Sequence, residues 1–159
     1  KENLKAQIAN DNSEGQIVLS GKTEDLEKLV QILKNNSIKN IKLPVSAPFH
    51  CDLMSSAAVV MEDALAAINL CDAAIPVFCN VTASAETNAE KLKENLVKQV
   101  TARVRWRESV TAMSAVGATK FVELGTGKVL SGLVKRGVEA EAIVNLNGPD
   151  DLDSVLAQM

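Results

Sequence analysis

The chain has 159 residues, 47% of them hydrophobic, and its 17 basic and 20 acidic side chains give a net charge of −3. That suffices for one domain with or without a small subdomain, while 3% aromatics with no tyrosine, and no basic stripe, argue against a nucleic-acid partner. Three cysteines outside any C-x-x-C pair argue against a disulfide framework or a metal site, and no apolar run has the length of a membrane span and no secretory leader is evident, so the expectation is a soluble cytoplasmic protein with no membrane partner.

Residues 1–10 (KENLKAQIAN) read as the end of a helix or a link into a strand, and so as part of a polypeptide that continues N-terminally. The turn-like Asn12-Ser13-Glu14-Gly15 leads into β-rich QIVLS (16–20), closed by Gly21. Thr23 is placed to cap a helix over 24–34, with Leu26, Leu29, Val30 and Leu33 on one face. Asn35-Asn36 stops that helix, and IKNIKL (38–43) reads as a further strand. Pro44 and Pro48 bracket an extended segment ending at Phe49-His50, and an alanine- and valine-rich helix is expected over 53–68. IPVFCNV (75–81) has the unbroken apolar character of a buried parallel strand. Thr87-Asn88-Ala89-Glu90 has capping-box form and opens a helix to 98 or 99. Another helix covers 106–116 and ends at Gly117. KFVEL (120–124) is a strand, Gly125-Thr126-Gly127 a tight turn, 128–136 a helix and AIVNL (142–146) the last strand, with Pro149 at N1 of a final helix. Strands alternating with helices from Ile75 onward imply an α/β fold with a parallel sheet, and residues 1–43 read as a separate α+β unit.

Gly125-Thr126-Gly127-Lys128 invites a phosphate-loop reading, but that loop needs glycine where Val122 stands and Ser or Thr where Val129 stands. A dinucleotide fingerprint needs its third glycine at Leu130. What remains is a strand-to-helix turn that requires glycine dihedrals. Cys51 follows His50 directly, and neighbours on a chain rarely turn both side chains to each other; Cys71 and Cys79 read as core or near-core thiols. His50 is the only histidine, set where a proline-braced segment can aim it into a cleft. As a base it needs a nucleophile. Ser20, Ser46, Ser55 and Ser131 all lie outside the G-x-S-x-G turn that exposes such a serine.

Several motifs, in order along nearly the whole chain, resemble malonyl-CoA:acyl-carrier-protein transacylases. Residues 10–21 (NDNSEGQIVLSG) are similar to that family's N-x-N-S-x-G-Q-x-V-x-S-G segment, and 43–54 (LPVSAPFHCDLM) to its L-P-V-S-x-P-x-H-x-x-L-M segment, which carries the catalytic histidine. PVFCNV (76–81), LVKQV (96–100), VRW (104–106) and ELGTGKVLSGL (123–133) match its later elements. The resemblance implies the C-terminal part of an α/β-hydrolase-like acyltransferase subdomain, residues 44–159, plus part of a ferredoxin-like small subdomain, residues 1–43. The family's G-H-S-x-G elbow, its carboxylate-binding arginine and its oxyanion-hole glutamine precede this region and are absent from the chain. Arg103 stands where the family usually has proline, removing a rigid turn near Gln99, and Glu14 often corresponds to proline as well.

The resemblance further implies transfer of malonyl from malonyl-CoA to the phosphopantetheine thiol of acyl carrier protein, in fatty acid synthesis, by a Ser-His ping-pong route. No cofactor is implied, since the coenzyme A thioester is a substrate, and the partners are those two and the N-terminal remainder of the same enzyme. His50 is then the general base, and the main-chain carbonyl of Gln99 fixes its tautomer; on its residues alone, Gln99 is a solvated helix-end side chain. Phe49 matches a position where related acyltransferases select the acyl group, or packs behind His50. Asn12 lies near the cleft wall, or simply makes an Asx-turn before Gly15. The competing reading is a non-catalytic fragment or binding module that docks acyl carrier protein or a partner chain.

Overall fold

In the computed structural model, which describes residues 4–158, an antiparallel hairpin comes first. Strands β1 (Ala6–Ser13) and β2 (Gln16–Gly21) are joined by a tight turn in which Gly15 takes φ 74°. Alternation along β1 buries Ala9, Asp11 and Ser13 on one face. Helix α1 (Thr23–Asn35) packs on β2 through the stripe of Leu26, Leu29, Val30 and Leu33. Thr23 lies inside this helix and Lys22 is the cap, without a side-chain bond. The helix ends in a Schellman pattern: Ile38 N–H donates to Leu33 O (2.9 Å) and Ser37 N–H to Lys34 O (3.0 Å), with Ser37 at φ 57°.

Residues 38–43, expected as a strand, pair with no other strand among the described residues. Local bonds, Asn40 Nδ2 to Ile38 O and Val45 N to Leu43 O, take up part of the backbone's bonding. Ile41 is 79% exposed. A short 3-10 turn, Asp52–Met54, then opens α2 (Ser55–Ala66), which stops two residues short of the expected 68. No residue of α2 is buried, although its sequence is apolar.

The run 75–81 also departs from expectation. Only Val77–Cys79 forms a strand, β3, and it pairs antiparallel with β4 (Ser84–Glu86) rather than joining a parallel sheet. The turn between them is closed by Ala83 N–H to Cys79 O (2.8 Å). A hairpin partner a few residues away costs little loop-closure entropy, so the apolar run signals a strand without naming its neighbour. Helix α3 (Ala89–Lys98) is capped one residue later than the T-x-x-E pattern suggests. Asn88 Oδ1 accepts from Lys91 N, Glu86 Oε1 from Thr87 N and Asn88 N, and Asp72 Oδ1 from Ala89 N. Asparagine caps at least as well as threonine, and the upstream carboxylates take the donors at Asn88 and Ala89.

Helix α4 (Trp106–Ala115) leads to the one parallel pair among the described residues, β5 (Lys120–Leu124) with β6 (Ala142–Leu146), connected through α5 (Val129–Gly137). Pro149 opens a 3-10 turn, and α6 (Leu152–Leu156) packs back on β6. Val110, Leu133, Val134, Val144 and Val155 form the buried centre of this part. The molecule is thus a mixed α/β structure whose parallel sheet is two strands wide.

Ser37 carries a left-handed backbone that a side chain disfavours by about 1–2 kcal/mol. Ser37→Gly should therefore stabilise the chain by about 1 kcal/mol in urea unfolding. A lower midpoint would show that the Schellman end is not a strained position.

Candidate active site

His50 sits at φ 59°, a left-handed conformation unusual for a residue with a side chain. Two sides of the fold hold it there. From the hairpin, Gln7 on β1 accepts from Asp52 N (2.7 Å) and donates to Asp52 Oδ2 (2.9 Å). Ser20 on β2 places its hydroxyl 3.6 Å from the sulfur of Cys51, and that thiol donates to Pro48 O (3.1 Å). Cys51 is 1% exposed, so it anchors the turn from inside. From the other side, the cap of α3 and the turn after it present main-chain carbonyls, and His50 Nδ1 lies 3.0 Å from Gln99 O and 3.2 Å from Ala102 O.

Both neighbours of Nδ1 are carbonyl oxygens, which only accept. The ring's Nδ1 is therefore the protonated nitrogen, and Nε2 keeps its lone pair in the neutral ring. The Gln99 carbonyl caps the end of α3, where C=O groups lack intrahelical partners and the dipole is negative, and the Ala102 carbonyl comes from the turn that follows. A half-buried imidazole so held can take a proton at Nε2 and have its positive charge met by two carbonyl dipoles, the orienting task a carboxylate performs in other triads.

The segment 99–105 that carries these carbonyls is itself braced. Asn80 Oδ1 accepts from Arg105 N (3.0 Å), and Arg105 Nη1 donates to Val81 O (2.9 Å). Arg103 and Arg105 both pair with Glu108, whose carboxyl is held below its ordinary value chiefly by the hydrogen bond from Arg105. Arg103 is thus tied by an ion pair to the first turn of α4. On the far side, Val104 N–H donates to Ala9 O (2.7 Å) and Asp11 N–H to Val104 O (2.8 Å), tying the segment to β1.

Of the residues picked out by sequence, His50 and the Gln99 carbonyl meet directly. Phe49 precedes His50 and is half exposed, 49%. Asn12 is half-buried near the end of β1, next to Asp11, on the strand that binds Val104, and makes no hydrogen bond to His50. The Ala102 carbonyl was not anticipated, because a main-chain acceptor leaves no mark on residue identity. Asp11 was also missed, though an acid between Ala9 and Ser13 at the period of a half-buried strand is a legible signal. Cys71 is exposed, contrary to its reading as a near-core thiol, while Cys51 and Cys79 are buried and all three are free. Among the described residues no group of three or more His, Cys, Asp or Glu could hold a metal, and no helix is long and apolar enough to cross a membrane.

The Gly125–Gly127 turn has the expected glycine dihedrals, φ 119° and 102° at its two glycines. Its helix N-terminus is already occupied by the protein's own carboxylate. Glu123 accepts from Leu130 N (3.1 Å), Ser131 N (2.8 Å) and Asn145 Nδ2 (2.9 Å), and Asn147 Oδ1 accepts from Gly127 N. The bond from Ser131 N is the main reason the Glu123 carboxyl lies below its ordinary value of 4.5. The turn is structural.

No protein-family model matches the chain. Malonyl CoA-acyl carrier protein transacylase of Bacillus subtilis is 40% identical over 148 residues, 92% of this chain and 47% of that protein. The solved acyl-carrier-protein-S-malonyltransferase of Bartonella henselae matches with a TM-score of 0.89 at 39% identity, over 96% of this chain and 49% of that one. A solved complex of a type II PKS acyl-carrier protein with its malonyl-transacylase matches with a TM-score of 0.91 at 33% identity, over 99% of this chain and 52% of that one. The fold is accordingly that of the α/β acyltransferases, over about half their length. Along nearly its whole length the chain is thus similar to malonyl CoA-acyl carrier protein transacylases, and it spans about half the length of the curated relatives it matches.

Because the folded value of Glu123 is depressed, its contribution to stability is present above pH 4.5 and is lost as the pH falls through the lower native value. Glu123→Gln should lower the urea midpoint at pH 7, and the gap to the parent should narrow on acidification below 4.5. A gap of constant size down to pH 3 would remove the carboxylate from its capping role.

Proposed function

We propose that this chain supplies the histidine-bearing, C-terminal portion of a transacylase that moves malonyl from coenzyme A to the phosphopantetheine thiol of acyl carrier protein. The observation that carries the reading is the two-carbonyl hold on His50 Nδ1, which leaves Nε2 free as a base. The nucleophilic serine, and the arginine and glutamine for the substrate carboxylate and the oxyanion, come from the remainder of the enzyme, since no serine of this chain stands in a G-x-S-x-G turn.

In the first half-reaction Nε2 takes the serine proton as the hydroxyl oxygen bonds to the thioester carbonyl carbon. The tetrahedral adduct collapses, the carbon–sulfur bond breaks, and the imidazolium returns its proton to the departing thiolate. In the second, Nε2 takes the proton of the carrier thiol, the sulfur attacks the malonyl-serine ester, and the serine oxygen leaves and is reprotonated from the same nitrogen. Charge on the ring appears twice and is met each time by the Gln99 and Ala102 carbonyls. The route uses no metal or cofactor, and the setting is cytoplasmic.

On this reading residues 1–43, the hairpin and α1, belong to the small ferredoxin-like subdomain and 44–159 to the large one. The uncovered apolar surface supports it. Val59 and Val60 on α2, Leu124 on β5 and Ile75 are all more than half exposed, apolar side chains that a covering surface would bury. Their cover is the remaining half of the fold, including strands that widen the β5–β6 sheet. Phe49 borders the acyl group and Asn12 the wall of the cleft.

The isolated chain, incubated with labelled malonyl-CoA, should stay unacylated by intact mass; stoichiometric labelling would overturn the division of the site. Combined with the remaining half, the parent should transfer malonyl and His50→Ala should lower the rate by about 10² to 10⁴. A variant within threefold of the parent removes His50 from the mechanism. In the same assembly Phe49→Ser should shift the malonyl-to-methylmalonyl ratio of kcat/KM toward methylmalonyl by roughly 10- to 200-fold at most, the range one methyl group commands in an apolar pocket. An unchanged ratio would leave Phe49 as packing behind His50.

A further inference from the structure

One buried charge has no part in that scheme. Asp11 is 7% exposed on the inward face of β1. Its carboxylate accepts from Arg107 Nε (3.0 Å) and Nη2 (2.8 Å), joining two residues 96 apart in sequence. Arg107 stands in the first turn of α4 with its side chain half exposed. Arg103 adds positive charge near Asp11, and Glu14 and Glu108 face Arg107.

The pair does not touch His50, but the backbone between them does. Asp11 N–H and Ala9 O hold Val104 in a single parallel bridge. Two residues earlier, Ala102 offers its carbonyl to Nδ1. The other end of this segment is fixed by α3, through Ala102 N–H to Lys98 O (3.1 Å). A bridge of two backbone bonds is a weak anchor on its own, each bond contributing only modestly in net. The two-pronged charged bond from the start of α4 reinforces it on the same residue, Asp11, that donates to Val104.

We infer that Asp11 and Arg107 are a positioning pair for His50: clamping β1 to α4 across Val104, they keep the Ala102 carbonyl on Nδ1 and hold the ring as its Nδ1–H tautomer. This rests on the reading of His50 as the base. Neither residue reaches the reacting atoms, and their effect passes through the backbone of 102–104.

His50 is the only histidine, so the imidazole nitrogen resonances of the labelled chain report a single ring. The parent should show Nδ1 protonated and Nε2 bare. Asp11→Asn keeps the shape and removes the charge, and the Nδ1–H to Nε2–H ratio should fall by about fivefold, the factor one ordinary hydrogen bond commands. Arg107→Ala, at a half-exposed position that tolerates truncation, should do the same, and Arg107→Lys should recover part of the ratio. Asn145→Ala, which breaks bonds at the start of α5 instead, should lower stability without moving the ratio. A parent-like ratio in both Asp11→Asn and Arg107→Ala overturns the inference, even if both melt earlier, and leaves the His50 reading intact. A parent ring that is not Nδ1–H overturns both.

Discussion

The contact between His50 Nδ1 and the carbonyl end of α3 organises the rest of the structure. It joins three separate parts of the chain. The loop 48–54 brings the ring, the hairpin holds that loop through Gln7 and Ser20, and the segment after α3 brings the acceptors. The ring and its two acceptors lie outside helix and strand, so no ladder of backbone bonds fixes the contact between them. Side chains that bond to backbone do the fixing: Asn80, Arg105 and Gln7 each hold a main-chain group that would otherwise be free to move. The left-handed φ of His50 has the same origin, since such a conformation persists only where the surroundings over-determine it. A base held by carbonyl dipoles depends on backbone position more than one held by a carboxylate, which can follow the ring by rotating its own side chain.

What was legible in the sequence follows from the range of the signal. Lys120–Leu124 and Ala142–Leu146 appear where apolar periodicity and turn residues place them, because both features are local. The same holds for α1, whose stripe of Leu26, Leu29, Val30 and Leu33 is set by the 3.6-residue period. Residues 38–43 have strand composition and no strand, and 75–81 has the composition of a buried parallel strand and forms a three-residue antiparallel arm. In both cases the residues report a wish for burial, while pairing depends on which backbone lies alongside. The shift from Thr87 to Asn88 at the start of α3 is a smaller instance, decided by the distant Asp72 carboxylate at Ala89 N. The histidine was legible through the motif around it, and its tautomer was legible only in part. Gln99 came with the family resemblance, whereas Ala102 holds the ring through an atom every residue possesses.

The division of buried and exposed apolar groups carries the final step. Val110, Leu133, Val134, Val144 and Val155 close a core between α4, α5, β6 and α6, and Ala9, Cys51, Cys79, Ala89 and Leu92 are buried as well, two of them on strands, one in the loop after His50 and two on α3. The positions these groups fix are those of His50's own support. Meanwhile α2 and the end of β5 hold valine and leucine in water, at about 25 cal/mol for each Å² left uncovered. The two carbonyls that meet His50 Nδ1 lie within this chain, while valine and leucine side chains of α2 and β5 stand open. Tautomer control and acyl chemistry are thus separable in principle. The first is a property of the 99–105 segment and its anchors on β1 and β3–β4, and can be read on this chain alone. On the proposed function, the second needs a nucleophile aligned with Nε2 by whatever covers α2 and β5. If that cover shifted the 99–105 segment on docking, the ring's tautomer would change with assembly. The anchors at Asn80, Ala9 and Asp11 all lie within the chain and resist that shift, which is the physical reason for expecting, on the proposed function, that the ring is set before any nucleophile arrives.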